Sequence, residues 1–475
     1  MATRHLALLP VCATAALIFV GRAVGQPAAT EPPDPLSVQI DPPQLGAPET
    51  YSDGPASSHL LGDLGGLRTS LHEFGIDLRA DLISEAAGNV SGGRSQAFRD
   101  ASQFDFGADI DLGRLGIDPN GSLHITFNQR WGRSLSQDAV GSLVSEQEIY
   151  GAGQDFRLSE LSFEQSFLNH HIDISLGRVV PENDFASSPV LWDHAALYCL
   201  FQNNGICGTP IGMPANSGYG SYPVSTWGGR IRVAPTDTTF VQTGIYAVNP
   251  TLAQASNGLK ISNSGGTGAF IPLEFGWRPG HTITGAPTTD GPLPGDYRIG
   301  VYYDTSRATD PYQALPGENL PPVAMRSYDG RYGFYVMAAQ TVWRQPTGTP
   351  GDMRSLSLFA AVDVGDPQTS IYRVFADAGV VLKGTFPGRD DDTIGFAVTD
   401  TEVNSRRDDV EALLAAEGND IIGIQSREMA FELNYAAPIY RGVSLEPGMQ
   451  VVLHPGALDE VPDAVVFTVK TSVKF

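Results

Sequence analysis

The chain has 475 residues and a formal net charge of −23, with 53 Asp and Glu against 30 Lys and Arg. That acidity argues against a nucleic-acid partner, because a phosphate backbone calls for a basic surface. Beyond the N-terminus no apolar run reaches the roughly 18 residues that a spanning helix requires, which excludes transmembrane helices. Length alone would suggest about three domains, but closed β-structures run this long as one.

The N-terminus reads as a secretory leader rather than a buried helix. Arg4 and His5 make a short basic start, Leu6 to Val20 is apolar, and Ala23-Val24-Gly25 is a small-x-small cleavage site before Gln26. Cys12 follows Pro10-Val11, a poor context for lipid attachment. Loss of residues 1–25 removes Arg4 and Arg22 and takes the charge from −23 to −25. Cys199 and Cys207 then remain, in a compartment that favours oxidation. Residues 26–58 are broken by eight prolines, from Pro27 to Pro55, and read as a disordered linker ahead of a domain over 59–475. A short helix is expected from about Gly66 to Phe74, stopped by Gly75.

From Ile76 the period becomes two. Ile76, Leu78, Ala80 and Leu82 alternate with Asp77, Arg79 and Asp81. Phe104, Phe106, Ala108, Ile110 and Leu112 alternate with Asp105, Asp109 and Asp111, and Leu123, Ile125 and Phe127 with His124, Thr126, Asn128 and Arg130. A soluble sandwich also alternates, but seldom sets so many carboxylates behind large aromatics. A membrane barrel needs that arrangement, with lipid on one face and water on the other. The expected fold is therefore all-β: a transmembrane antiparallel β-barrel of about 16 strands with a short N-terminal helix. The runs lie near 76–86, 103–113, 121–131, 157–167, 171–178, 225–233, 239–248, 269–278, 296–304, 332–344, 355–363, 373–383, 392–398, 427–436, 443–453 and 464–475.

The gaps between runs mostly alternate long and short, as expected of outer loops and inner turns; the gap at 279–295 fits least well. That pattern puts both termini in the periplasm of a Gram-negative cell, with the barrel in its outer membrane. In the last run Val465, Phe467, Val469, Thr471, Val473 and Phe475 share one face, and Ala464, Val466, Thr468, Lys470, Ser472 and Lys474 the other. A terminal aromatic on such a strand, Phe475, is expected to be read by the barrel assembly machinery.

Several phrases resemble the carbohydrate-selective porins, the OprB-like family. Leu61-Gly62-Asp63-Leu64-Gly65-Gly66-Leu67-Arg68 resembles the family's L-G-D-W-G-G-x-R, with Leu64 in place of Trp. Gln147 to Gln154 and Arg157 to Gln165 resemble Q-E-I-Y-G-x-G-Q and R-L-x-E-L-x-Y-E-Q, with Phe163 in place of Tyr. Phe201-Gln202-Asn203, Cys207-Gly208, Trp227-Gly228-Gly229-Arg230, Pro294-Gly295-Asp296-Tyr297, Lys383-Gly384 through Asp392, and Gln450 through Gly456 match further phrases in order. The resemblance implies a 16-stranded single-domain barrel and passive uptake of glucose-like sugars; the expected function is diffusion of such sugars and similar small polar solutes, with a general porin as the alternative. Trimers are common among porins, but alternation alone reveals no interface.

No H-E-x-x-H, G-x-S-x-G or phosphate-cradling loop is present, so a barrel enzyme is the weaker reading, and no cofactor is expected. His170-His171 and Asp390-Asp391-Asp392 fall in turns and read as turn residues before metal ligands. Asp408 to Glu417 reads as a short loop helix packed on the barrel mouth. Asp105, Asp109, Asp111, Arg130, Glu160, Glu164, Arg230, Arg232, Glu274, Arg298 and Gln340 are assigned to the inner face, most of them as solvated wall.

The loop near 179–224 differs in kind. It is the longest, and a loop beyond about 15 residues is usually functional or disordered. It is expected to fold inward and narrow the lumen. Its sugar-contacting residues would be Asp184, Phe185, Trp192, Phe201, Gln202 and Asn203, facing Arg130, Glu160, Glu164, Arg230 and Arg232 on the wall. Cys199 and Cys207 are expected to close a disulfide around the turn-prone Asn203-Asn204-Gly205.

Overall fold

In the computed structural model the alternating runs close into an antiparallel barrel. The structure describes residues 59–150, 155–187, 199–207, 209–288, 291–310, 327–346, 353–416 and 422–475. The expected leader and Pro-rich linker, Trp192, and Gly418 at the end of the loop helix lie outside these residues.

The strands are β1 (Ile76–Ser91), β2 (Ala97–Asp111), β3 (Gly121–Gly132), β4 (Phe156–Phe167), β5 (Ile172–Val179), β6 (Thr226–Thr236), β7 (Thr239–Val248) and β8 (Gly268–Trp277). They continue with β9 (Gly295–Thr309), β10 (Ser327–Pro346), β11 (Met353–Gly365), β12 (Tyr372–Lys383), β13 (Thr393–Val403), β14 (Arg427–Tyr440), β15 (Val443–Leu453) and β16 (Ala464–Lys474). Each pairs with its sequence neighbours, and β16 returns to β1 with Asp81 opposite Lys474 and Glu85 opposite Lys470. Closure removes the edge strands, whose free N–H and C=O groups a lipid layer could not solvate.

The outer face is apolar and exposed, with Leu176, Ile245, Leu273, Val301, Leu358, Leu433 and Phe467 among its residues. Aromatic side chains gather towards both strand ends. Trp277 stacks on Tyr297 with centroids 5.2 Å apart near the short turns, while Trp227, Tyr303 and Tyr332 lie nearer the long loops. Phe106, Phe127 and Phe156 form a stack across β2, β3 and β4 at 5.4 to 6.0 Å. Such an aromatic-edged apolar band is what a bilayer selects on a barrel exterior.

Three expectations are corrected. The β1–β2 connection is only residues 92–96, because both strands extend past the apolar band, where alternation fades. Gln340 does not face the lumen. It shares the outward parity of Phe334, Val336 and Ala338 on β10, and its amide donates to Pro294 O at 3.2 Å in the β8–β9 turn. Asp111 is not wall either: it ends β2 and its Oδ1 accepts the N–H of Gly113 at 2.8 Å and of Arg114 at 3.0 Å.

The N-terminal helix spans Leu67–Glu73. It ends because Gly75 takes φ 87° to turn the chain into β1, where a Cβ would meet Asp111 O at 2.8 Å. The loop helix Ser405–Ala416 follows β13. Arg406 forks onto Asp310, Arg407 pairs with Glu411 at 3.0 Å, and Val410 is buried.

Candidate functional site

Among the described residues, two loops fold into the lumen. The β5–β6 connection enters through the short helix Pro181–Asp184. Asp184 pairs with Arg230 of β6 at 2.8 Å and accepts Tyr246 OH of β7 at 2.8 Å. Ala186 N donates to Glu274 of β8 at 2.8 Å, and Gly218 N to Asp304 of β9 at 2.5 Å. Gln202 N and Asn203 N donate to the two oxygens of Glu432 on β14 at 2.7 and 2.8 Å. On the far side Tyr222 OH donates to Asp105 of β2 at 2.7 Å. The described parts of this loop thus lie inside the barrel and are bonded around its circumference.

The β3–β4 connection does the same, which was not expected. Leu143 N and Val144 N donate to Glu428 of β14 at 2.7 and 3.1 Å, and Ile149 N to Glu85 of β1 at 3.4 Å. A wall carboxylate taking main-chain N–H groups is the recurring device. It satisfies loop donors that would otherwise be buried unpaired, with bonds strengthened by the charge.

Lys470 on β16 joins the two loops. Fully buried, it donates to Glu148 Oε1 of the first loop at 2.7 Å and to Cys199 O of the second, with Glu446 Oε2 at 3.9 Å. Burial pushes the Glu148 carboxyl above its ordinary range, and the Lys470 charge opposes that rise. Burial also raises Glu146, against hydroxyl donors on Ser136 and Ser142.

Cys199 and Cys207 form the disulfide, with Cα atoms 5.6 Å apart. It packs with Phe201 and Ile206 against the inward-facing Ala339, Phe359, Val381, Ala397 and Ala436. Phe201 meets Phe359 edge-on at 5.8 Å, and Phe185 meets Tyr246 edge-on at 6.0 Å.

These contacts change the roles expected of several residues. Phe185, Phe201, Gln202 and Asn203 are fully buried between loop and wall and present no surface to a solute. Arg130, Arg230 and Arg232 are also buried. Arg130 donates to Gln103 at 2.6 Å and lies over the Tyr222 ring; Arg232 lies over the Phe240 ring. The parity assignments were right for all three, but the loops that cover them could not be read from parity. Glu274 and Arg298 are likewise inward and mutually paired, at 3.6 Å.

A cluster of partly exposed inward groups sits elsewhere, on the short-turn halves of β1 to β4. Arg79 pairs with Asp109 at 2.9 Å, and His124 Nδ1 lies 2.7 Å from the same carboxylate. Glu160 accepts Ser162 OH at 2.9 Å, and Glu164 pairs with Arg230 at 3.1 Å. Glu160 and Glu164 were expected on this wall, and Asp184 on the loop facing it. Arg79 and His124 were on the page as alternating polar residues and were not singled out.

The other motifs resolve as turn structure. His170 bonds Ser166 and lies 3.3 Å from Asp173, while His171 bonds Ala234 O. Asp390 pairs with Arg354, and Asp392 with Arg389.

A closed barrel, apolar outside and polar inside, whose lumen is narrowed by inward loops, is the architecture of an outer-membrane diffusion channel, a porin. The family model of the carbohydrate-selective porins, OprB family, matches residues 95–475, and the chain belongs to that family. It is 34% identical over 450 residues to Porin B of Pseudomonas aeruginosa, covering 90% of this chain and 93% of that one. The high-pH structure of Pseudomonas putida OprB superposes with a TM-score of 0.79 at 32% identity, covering 90% of this chain and all of the other.

Proposed function

We propose that this porin passes neutral, glucose-like sugars by passive diffusion between the inward β5–β6 loop and the short-turn halves of β1 to β4. The observation that carries this reading is the cluster of partly exposed wall groups Arg79, Asp109, His124, Glu160 and Glu164, with Asp184 of the loop beside them, left open while the carboxylates of β14 and β15 are covered. Sugar hydroxyls both donate and accept, and the cluster offers acceptors and donors side by side. Its charges are largely paired, so an uncharged solute meets them without stripping a free ion of water. Arg230 acts as a positioning residue that holds Glu164 and Asp184 in place. Trp192 would supply an aromatic face for sugar C–H groups. Binding stays weak, since a channel that holds its solute stops conducting; millimolar affinity corresponds to about 4 kcal/mol.

The same reading includes a leader over 1–25, a linker over 26–58, both termini in the periplasm, recognition of Phe475 during assembly, and no enzymatic activity. It leaves the protomer count open, with a homotrimer as one form. The test is ion current through single channels in planar bilayers with added glucose. Excising the β5–β6 loop is expected to raise conductance and abolish sugar block. A wild-type channel that glucose does not block would make this a general porin, and an excision that changes neither quantity would place selection elsewhere in the wall.

A further inference from the structure

The barrel closes where its first and last strands meet, and no turn connects them to set the register there. A one-residue slip between β1 and β16 would turn lipid-facing side chains inward and is rejected by the apolar pattern. A slip of two residues keeps every side chain on its own face, so burial alone does not forbid it. Glu85 opposite Lys470 opposes such a slip from inside the lumen. A second device stands at the short-turn end.

There β1 outruns its partner. The last paired residues are Asp81 and Lys474, followed by a bond from Phe475 N to Ala80 O at 2.9 Å. Beyond it, Arg68 supplies the next rung from a side chain. Its Nη1 donates to Leu78 O of β1 at 2.9 Å and its Nη2 to Phe475 O, just past β16, at 2.7 Å. One planar guanidinium thus grips both strands, which its forked geometry permits and an ammonium does not. Leu60 N adds a bond to Lys474 O at 2.8 Å, and Lys474 N donates to Gly442 O in the β14–β15 turn at 2.7 Å.

The residues around Arg68 hold it there. Asp63 Oδ1 accepts Thr69 N at 2.8 Å and Thr69 OH at 2.9 Å. Gly62, Gly65 and Gly66 take φ of 61°, 72° and 94°, which wind the chain tightly ahead of the helix. We propose that residues 59–68 are a clasp that fixes the register at which the barrel closes. This gives the Gly62-Asp63-Leu64-Gly65-Gly66-Leu67-Arg68 phrase a physical task. Leu64 is exposed, so the side chain at that position takes no part in the clasp's contacts.

Disulfide trapping across the seam tests it. Ala86 lies opposite Val469, and both face outward. Ala86→Cys with Val469→Cys reports the native register; Ala86→Cys with Phe467→Cys or Thr471→Cys reports a two-residue slip in either direction. In full-length protein assembled in cells, Arg68→Met is expected to lower native trapping about two-fold or more and to raise a slipped pair. Arg68→Lys, which keeps the charge without the fork, is expected to follow it. Native trapping unchanged in Arg68→Met, or wild-type behaviour in Arg68→Lys, would overturn the proposal. Should Arg68→Met yield no folded barrel, Asp63→Ala decides: it keeps the guanidinium but loosens its turn, and must shift trapping the same way by less. Unchanged trapping there would also overturn it.

Discussion

The β14–β16 wall and the short-turn halves of β1 to β4 both turn carboxylates into the lumen, and the two sets do different work. Glu428, Glu432 and Glu446 are buried because loops lie over them, and Glu428 and Glu432 are occupied by loop N–H groups. Glu160 and Glu164 stay partly exposed and bond to neighbouring wall side chains. The difference lies in the apolar residues mixed among them. On the inner faces of β10 to β14, Ala339, Phe359, Val381, Ala397 and Ala436 make a dry footing for the disulfide segment. The inward positions Arg79, Asp109, His124 and Glu160 offer a loop no such footing. On β14 the carboxylates beside small apolar inward residues anchor backbone; on β4 those among polar neighbours stay partly exposed.

The comparison breaks most severely at Lys470. Lys470→Met leaves Glu148 and Glu446 buried without their cation, and is expected to cost about 3–5 kcal/mol. Urea unfolding in detergent micelles would show it, and single-channel conductance should rise as both loops loosen. Unaltered stability would mean the loops do not depend on this pin. Next comes the disulfide. Thiol titration of unfolded, unreduced protein cleaved after residue 25 should find no free thiol. Replacing both Cys199 and Cys207 by Ser should cost roughly 2–3 kcal/mol on the chain-entropy estimate, with noisier open-channel current as its signature.

On the open wall the expectation reverses. Glu160→Gln should change stability by no more than about 0.5 kcal/mol. It removes a negative charge from the lumen, so the reversal potential in a salt gradient should move towards weaker cation preference. A large loss of stability without that shift would make Glu160 an anchor after all. A pH-dependent effect is expected at Asp408 in the loop helix, whose carboxyl burial and neighbouring Glu411 raise to about 6. The folded state holds this proton more tightly than the unfolded one. Stability is therefore lost as pH rises from about 4 to 6, and Asp408→Asn should stabilise the helix at pH 7 but not below pH 4. Backbone amide exchange across 405–416 at the two pH values would check it.

Much of the barrel was legible because lipid enforces a period of two. The runs at 239–248 and 443–453 coincide with β7 and β15 from end to end. Where strands leave the apolar band, that constraint lapses, and the outer end of the β1–β2 hairpin, rich in Gly, Ser and Asn, was missed. Gln340 was misassigned because its polar side chain was taken as a lumen group, whereas its parity is that of Phe334 and Val336 and a turn supplies its amide with partners. The covering loops were the larger gap. The β5–β6 loop was conspicuous by length, but the roles of its aromatics and amides depended on which wall groups lay beneath them. The β3–β4 loop had a signal that went unread: Ile83 and Ala87 on β1 and Ala464 and Val466 on β16 are apolar at inward positions, and Ile149, Leu135 and Val140 cover them.

The grip of wall carboxylates on main-chain N–H groups has a consequence for how such a channel can be retuned. Every residue except proline offers that N–H, so Glu274, Glu428 and Glu432 would hold their loops through wide changes in the side chains carried there. Proline is barred at positions 143, 144, 186, 202 and 203, where the donated hydrogen would be missing. The rest of each loop can thus be rewritten while the anchorage stays, and the barrel serves as a fixed socket for exchangeable inserts.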